Sequence, residues 1–194
     1  MDLHCSFCYN HRVMRFLKGL WDSAKIVVVV LVSAVAIRYL VLQPFQVEGA
    51  SMEPNLQSGQ LMLVEKLSYR LHAPKRGDII VFHYPLSPRV DYIKRIIGLP
   101  GETIRISEGR VLVDNRLLEE SYLPAETKTT IAGIDAPYES TLGPEQFFVL
   151  GDNRPHSSDS RNWGPLDRRF IIGRSGFILY PANSFRAIAS PNYH

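Results

Sequence analysis

Seventeen residues, Ile26 to Leu42, carry one charge, Arg38, and neither proline nor glycine. As a helix this run spans ~25 Å at ~1.5 Å per residue, slightly less than a ~30 Å hydrocarbon core. Lys25 and Arg38 can snorkel, Trp21 and Tyr39 suit an interface, and Pro44 is expected to end the helix. A buried core helix competes with this reading, but the run is apolar on every face and sits at one end of the chain. A cleaved secretory leader competes too, but no clean small-x-small site follows, and the run leads straight into Gln43-Pro-Phe-Gln-Val47. An uncleaved transmembrane anchor is the reading adopted. Arg12, Arg15, Lys18 and Lys25 outnumber Asp2 and Asp22 on the N-terminal flank, which predicts a cytoplasmic N-terminus. The expected organisation is a basic cytoplasmic tail over 1–24, an anchor over 25–43 and an exported domain over 44–194.

The chain has 194 residues, enough for one catalytic domain with a small appendage. Twenty-two Lys and Arg against 19 Asp and Glu give a net charge of +3, too small and too scattered for a nucleic-acid partner. Thirteen Gly and 13 Pro favour a β-rich body over a helical bundle. Cys5 and Cys8 both precede the apolar run, so disulfides do not hold the main domain together. Their C-x-x-C spacing also fits redox chemistry or half a metal site. No second Cys or His pair completes a zinc set and no βαβ pattern surrounds them, so they read as two thiols in a loose tail. No metal and no cofactor are expected.

Short apolar runs bounded by turn residues predict strands over 61–65, 92–97, 103–106, 111–113, 146–150, 170–172 and 176–180, and a turn leading into a buried strand over 77–82. Glu108-Gly109 is placed at the turn of a hairpin. The Pro-, Thr- and Gly-bearing stretch 119–144 reads as loops and weak strands. The expected class is mainly β, with one N-terminal transmembrane helix.

Ser51 follows Gly49 and Ala50 in a turn marked by Pro54 and Gly59. Little bulk guards its hydroxyl, which suits a nucleophile beside backbone N–H groups; an ordinary turn serine fits the same residues. The segment is not G-x-S-x-G, because Glu53 stands at the second glycine. A base must then be found. His4 and His11 precede the anchor and His194 is terminal, which leaves His83, His156 or a lysine neutralised by burial. Lys94 is the best lysine: strand alternation puts it on one face with Tyr92 and Ile96, and Arg95 on the other with Ile93 and Ile97. A strand-edge lysine reaching water fits the same pattern. Gly151–Gly164 is a polar loop dense in Asp, Asn and Ser, able to orient a base or simply to turn. Ser51 lies nine residues beyond Leu42, within ~30 Å of the helix end at ~3.3–3.6 Å per residue. That reach suits a substrate held in the bilayer.

Four segments in order after an anchor resemble type I signal peptidases of bacteria, including cyanobacterial and plastid members. They are Gly49-Ala-Ser-Met-Glu-Pro54, Gly77-Asp-Ile-Ile-Val-Phe82, Asp91 through Gly101, and Gly151-Asp-Asn-Arg154 through Asp159-Ser-Arg161. The resemblance implies a signal-peptidase-like all-β catalytic domain on the outer membrane surface, in a plasma or thylakoid membrane. It implies Ser51 as nucleophile, Lys94 as general base and Ser157 as the hydroxyl that orients the lysine. Asp152, Asp159, Arg161 and Arg95 match supporting polar residues. The implied partners are the lipid bilayer and signal-peptide-bearing preproteins, cut after small residues in an Ala-x-Ala pattern. Gly49 departs from relatives with a Ser or Thr hydroxyl there, so the oxyanion would rest on backbone donors, chiefly the Ser51 N–H. The short span from Leu117 to Phe147 implies a compact architecture. Two rivals remain: a Ser-His-Asp hydrolase built on His83 or His156, and a tethered β domain that only binds partners.

Overall fold

The computed structural model describes residues 5–131, 137–188, 191 and 193, with the side chains of 5–13, 16, 36–40 and 70 outside the described set. The chain forms two compact units, 1–41 and 42–194. The first holds α1 (Cys5–Leu40), so residues read as a loose tail are helical back to Cys5. The side chains of Cys5, Cys8, Arg12, Arg38 and Tyr39, and the whole of Asp2, lie outside the described residues. Ile26 through Val32 and Val35 are all more than half exposed, consistent with a helix apolar on all faces. Among the described residues no helix is long and apolar enough to cross a membrane; within α1 the described side chains stop at Val35, inside the apolar run. The helix ends at Leu40, four residues before the proline expected to stop it.

The second unit is mainly β. Its elements are β1 (Leu42–Gln46), β2 (Leu61–Glu65), α2 (Ser68–Leu71), β3 (Ile79–Tyr84), β4 (Ser87–Gly98), β5 (Thr103–Ser107) and β6 (Arg110–Val113). There follow β7 (Arg116–Leu117), β8 (Tyr138–Thr141), β9 (Gln146–Leu150), α3 (Ser160–Trp163), β10 (Leu166–Asp167), β11 (Ile171–Tyr180) and β12 (Arg186–Ala187). The larger sheet has the order β1-β2-β11-β3-β4-β9-β10, with β12 paired to β11; the smaller runs β7-β6-β5-β8.

Pro44 sits within β1, at the end of the larger sheet, opposite Leu63. An edge strand tolerates its missing N–H. Glu108 (φ 53°) and Gly109 (φ 72°) make the tight turn expected between β5 and β6; positive φ at both positions matches the twist of a hairpin. The strands expected at 170–172 and 176–180 merge into one bulged β11.

The central strands read as unbroken apolar runs because both their faces are buried. Ile79 and Val81 of β3 enter one core cluster with Val47, Met52 and Val64. Ile80 and Phe82 enter another with Ile96, Phe147 and Val149. Phe148 and Leu150 of β9 join Ile97 and Ile104 in a third. Alternate residues of one strand thus feed different cores, and together they hold β4 and β9 rigidly at the site.

Candidate active site

β4 delivers Lys94 from the buried middle of the sheet. The residue is 3% exposed. Its Nζ donates to Ser51 Oγ at 2.8 Å and to the Ile93 carbonyl at 2.9 Å, and lies 5.2 Å from the centre of the Tyr92 ring. Burial pulls its pKa down from 10.5 to about 8, against the carboxylates of Asp159 and Asp152, which raise it, while Arg161 lowers it further. A buried amine prefers to be uncharged, so close to neutral pH an appreciable share of Lys94 can accept a proton.

Ser51 opens a run of turns between Val47 and β2. The turn is closed by Glu53 N–H on the Ala50 carbonyl at 3.2 Å and Leu56 N–H on the Met52 carbonyl at 2.9 Å. Met52 and Leu56 anchor it in the first core cluster. Gly49 precedes it at φ 83°, a backbone setting that L side chains rarely adopt. That is a physical reason for glycine where a hydroxyl-bearing residue would otherwise serve.

The polar loop after β9 packs on this turn. Gly151 makes the approach close: a Cβ there would meet Ser157 Cβ and the Ser51 carbonyl oxygen, each at 2.5 Å. Asp152 accepts from Arg95 Nε (2.8 Å) and Nη2 (2.6 Å) and from Asn55 Nδ2 (2.9 Å), tying β4, the loop and the Ser51 turn together. Asp159 caps α3 and accepts from Gly151 N–H at 3.0 Å and from Arg161 Nε at 2.7 Å. Arg161 continues to the carbonyls of Thr130 (2.9 Å) and Arg154 (2.7 Å).

Ser51, Lys94, Arg95, Asp152, Asp159 and Arg161 therefore converge on one region. Ser157 lies beside Gly151, but its hydroxyl is buried without a hydrogen-bond partner among the described residues and makes no bond to Lys94. The histidines considered as bases bond elsewhere: His83 Nδ1 to Asp91 at 2.7 Å and His156 Nδ1 to Asn153 at 3.1 Å.

Sequence reasoning passed over several supports. Arg154 is almost wholly buried, ion-paired to Glu120 and hydrogen-bonded to Thr129 and the Gly151 carbonyl. Tyr122 stacks under Arg95 at 4.0 Å. Asn55 and Asn153 grip the loop and turn. Asn153 and Arg154 lay within a motif already noted; Glu120 and Tyr122 lay in a stretch read as loops, and nothing in their spacing pointed to partners so distant.

A groove of about 540 Å³ opens beside Ser51 and Lys94, with Phe45, Val47, Val81 and Ile93 among its walls. β1 borders it as an end strand, and β4 pairs with β9 only from Arg95 onward. Two strand edges thus face a largely apolar groove, a geometry that accepts an extended peptide as an added strand.

Residues 20–180 match a family model described as signal peptidase, peptidase S26. The chain is 38% identical over 184 residues to a signal peptidase I of Leptolyngbya laminosa, covering 89% of this chain and 85% of that one. It is 36% identical over 176 residues to a probable signal peptidase I-1 of Synechocystis sp., covering 87% of each. A solved signal peptidase I from Enterococcus faecalis V583 is 32% identical, covering 53% of this chain and 97% of that one at a TM-score of 0.46. The relatives define this chain as a serine endopeptidase. It belongs to the signal peptidase family, peptidase S26.

Proposed function

We propose that the chain removes signal peptides from preproteins with Ser51 as nucleophile and Lys94 as general base. The observation that carries this is the 2.8 Å contact between Lys94 Nζ and Ser51 Oγ, with the lysine buried and its pKa drawn down to about 8. Neutral Lys94 takes the hydroxyl proton as Ser51 Oγ bonds to the scissile carbonyl carbon. The oxyanion is held by the Ser51 N–H. Lys94 then protonates the leaving amine as the C–N bond breaks, and later takes a proton from the water that cleaves the ester. Ser157 serves as the hydroxyl that orients the amine during turnover, and Arg95, Asp152, Asp159 and Arg161 keep the parts in register. The apolar groove favours small side chains near the cut, in an Ala-x-Ala pattern. The run from Ile26 to Leu42 anchors the chain in a plasma or thylakoid membrane with its N-terminus cytoplasmic, in keeping with a membrane-associated family.

The test is the pH dependence of cleavage of an Ala-x-Ala preprotein in detergent. Only the neutral lysine acts, so kcat/KM should rise about tenfold per pH unit below the Lys94 pKa and level off above about 8. A limb near pH 6.5, the histidine range, or a flat profile from pH 6 to 9 contradicts the reading. A serine-directed acylating inhibitor should leave its mass on the peptide bearing Ser51; a label elsewhere contradicts it too.

A further inference from the structure

The peptide bond joining Ala50 to Ser51 is clamped through its carbonyl. That oxygen accepts from Asn153 Nδ2 at 3.0 Å and from Glu53 N–H at 3.2 Å. The backbone N–H of Asn153 takes the next carbonyl, that of Ser51, at 3.0 Å. Asn153 Oδ1 lies 3.1 Å from His156 Nδ1. An amide oxygen only accepts, so Nδ1 carries the hydrogen in that contact, whether the ring is neutral or charged. The donors run one way, from His156 to the Asn153 amide and on to the Ala50 carbonyl.

A trans peptide is planar, with its carbonyl and N–H pointing in opposite directions. Whatever fixes the Ala50 oxygen therefore also aims the Ser51 N–H, which donates to no acceptor among the described residues. Drawing on the carbonyl also polarises the amide and makes its N–H a stronger donor. Gly49, just before Ala50, adds backbone freedom and no side-chain donor, so the side-chain half of the clamp comes from Asn153, outside the turn, beside the Glu53 N–H within it.

We propose that Asn153, itself held by His156, is the positioning residue of the oxyanion donor. It sets the plane of the Ala50–Ser51 peptide and thereby directs the Ser51 N–H at the developing oxyanion. This rests on the reading of Ser51 as nucleophile. Asn153→Ala should not collapse the turn, because the Ala50 carbonyl keeps Glu53 and the backbone bond from residue 153 to Ser51 remains.

The experiment uses the full chain in detergent. Asn153→Ala should lower kcat ten- to hundredfold with KM changed less than about twofold, a smaller loss than the ~10²–10³ for deleting an oxyanion donor outright. A substrate-like peptide aldehyde, whose hemiacetal with Ser51 carries the oxyanion, should lose affinity by about the same factor. The matching peptide alcohol, which forms no adduct, should bind unchanged. His156→Ala should move kcat the same way by less, and the pH limb assigned to Lys94 should stay in place. Asn153→Asp keeps the shape but turns a carboxylate oxygen on the Ala50 carbonyl; its loss of kcat should be at least as large. Wild-type kcat in both Asn153 variants, or equal losses for aldehyde and alcohol, overturns the proposal. Wild-type kcat there together with an inactive Ser51→Ala removes the positioning role and leaves the nucleophile standing. An active Ser51→Ala overturns both.

Discussion

Lys94→Met should reduce preprotein cleavage by about 10³-fold or more and make the protein more stable. The loss follows from removing the base in contact with Ser51 Oγ, since general-base catalysis contributes ~10²–10⁴ and His83 and His156 are bonded elsewhere. The gain follows from burial. A pKa drawn from 10.5 to about 8 corresponds to about 3 kcal/mol spent on hiding the ammonium. Methionine fills similar volume without a charge, so roughly 1–3 kcal/mol should be recovered, allowing for the lost hydrogen bonds. The sign can be checked against pH. Between about 8 and 10.5 the unfolded chain binds a proton at this lysine and the folded chain does not, so wild-type stability rises across that window. The rise should be missing in Lys94→Met. Ser51→Ala is the control: equally inactive, without the gain. Urea unfolding at pH 7 and pH 10, beside cleavage assays, reads all of this. A Lys94→Met protein that cleaves normally removes the dyad, and one that unfolds earlier removes the account of burial.

Lys94 also shows how far the sequence could be read. Alternation put it on a face with Tyr92 and Ile96, and both pack in the same core cluster. The pattern gave no sign that its amine meets a hydroxyl 43 residues earlier in the chain; only the ordered motifs brought those two segments together. Pro44 was expected to stop a helix and instead lies in an end strand, because proline breaks both kinds of element and its ring does not say which. β4 begins at Ser87, well before the apolar run that marked it, since its exposed first half has no core to answer to. Ser157 was expected to touch the lysine and makes no bond to it. Glu120, in the stretch read as loops, owes its place to a buried arginine 34 residues away, a relation with no local periodicity.

Arg95 carries the other large effect. Its side chain is 3% exposed and that of its partner Asp152 is 1%. Two hydrogen bonds join them, a third runs from Arg95 to the Gly77 carbonyl, and the guanidinium stacks on Tyr122. Arg95→Met leaves the Asp152 carboxylate buried with Asn55 as its remaining hydrogen-bond donor among the described residues. Breaking a buried pair from one side costs about 3–5 kcal/mol, and that is the destabilisation expected in urea. Lysine should rescue poorly, having neither the planar fork nor the stacking face. Adding Asp152→Asn to Arg95→Met removes the stranded charge and should restore a large part of the loss. The pH profile separates the same two proteins. Asp152 raises the Lys94 pKa, and without Arg95 its charge is less compensated, so the limb of kcat/KM should move upward in the single variant. In the double variant that carboxylate is gone and the limb should move below its wild-type position. Additive unfolding free energies across wild type, both single variants and the double would mean that the pair does not couple, and limbs moving in the same direction would mean that Asp152 does not act on the lysine through its charge.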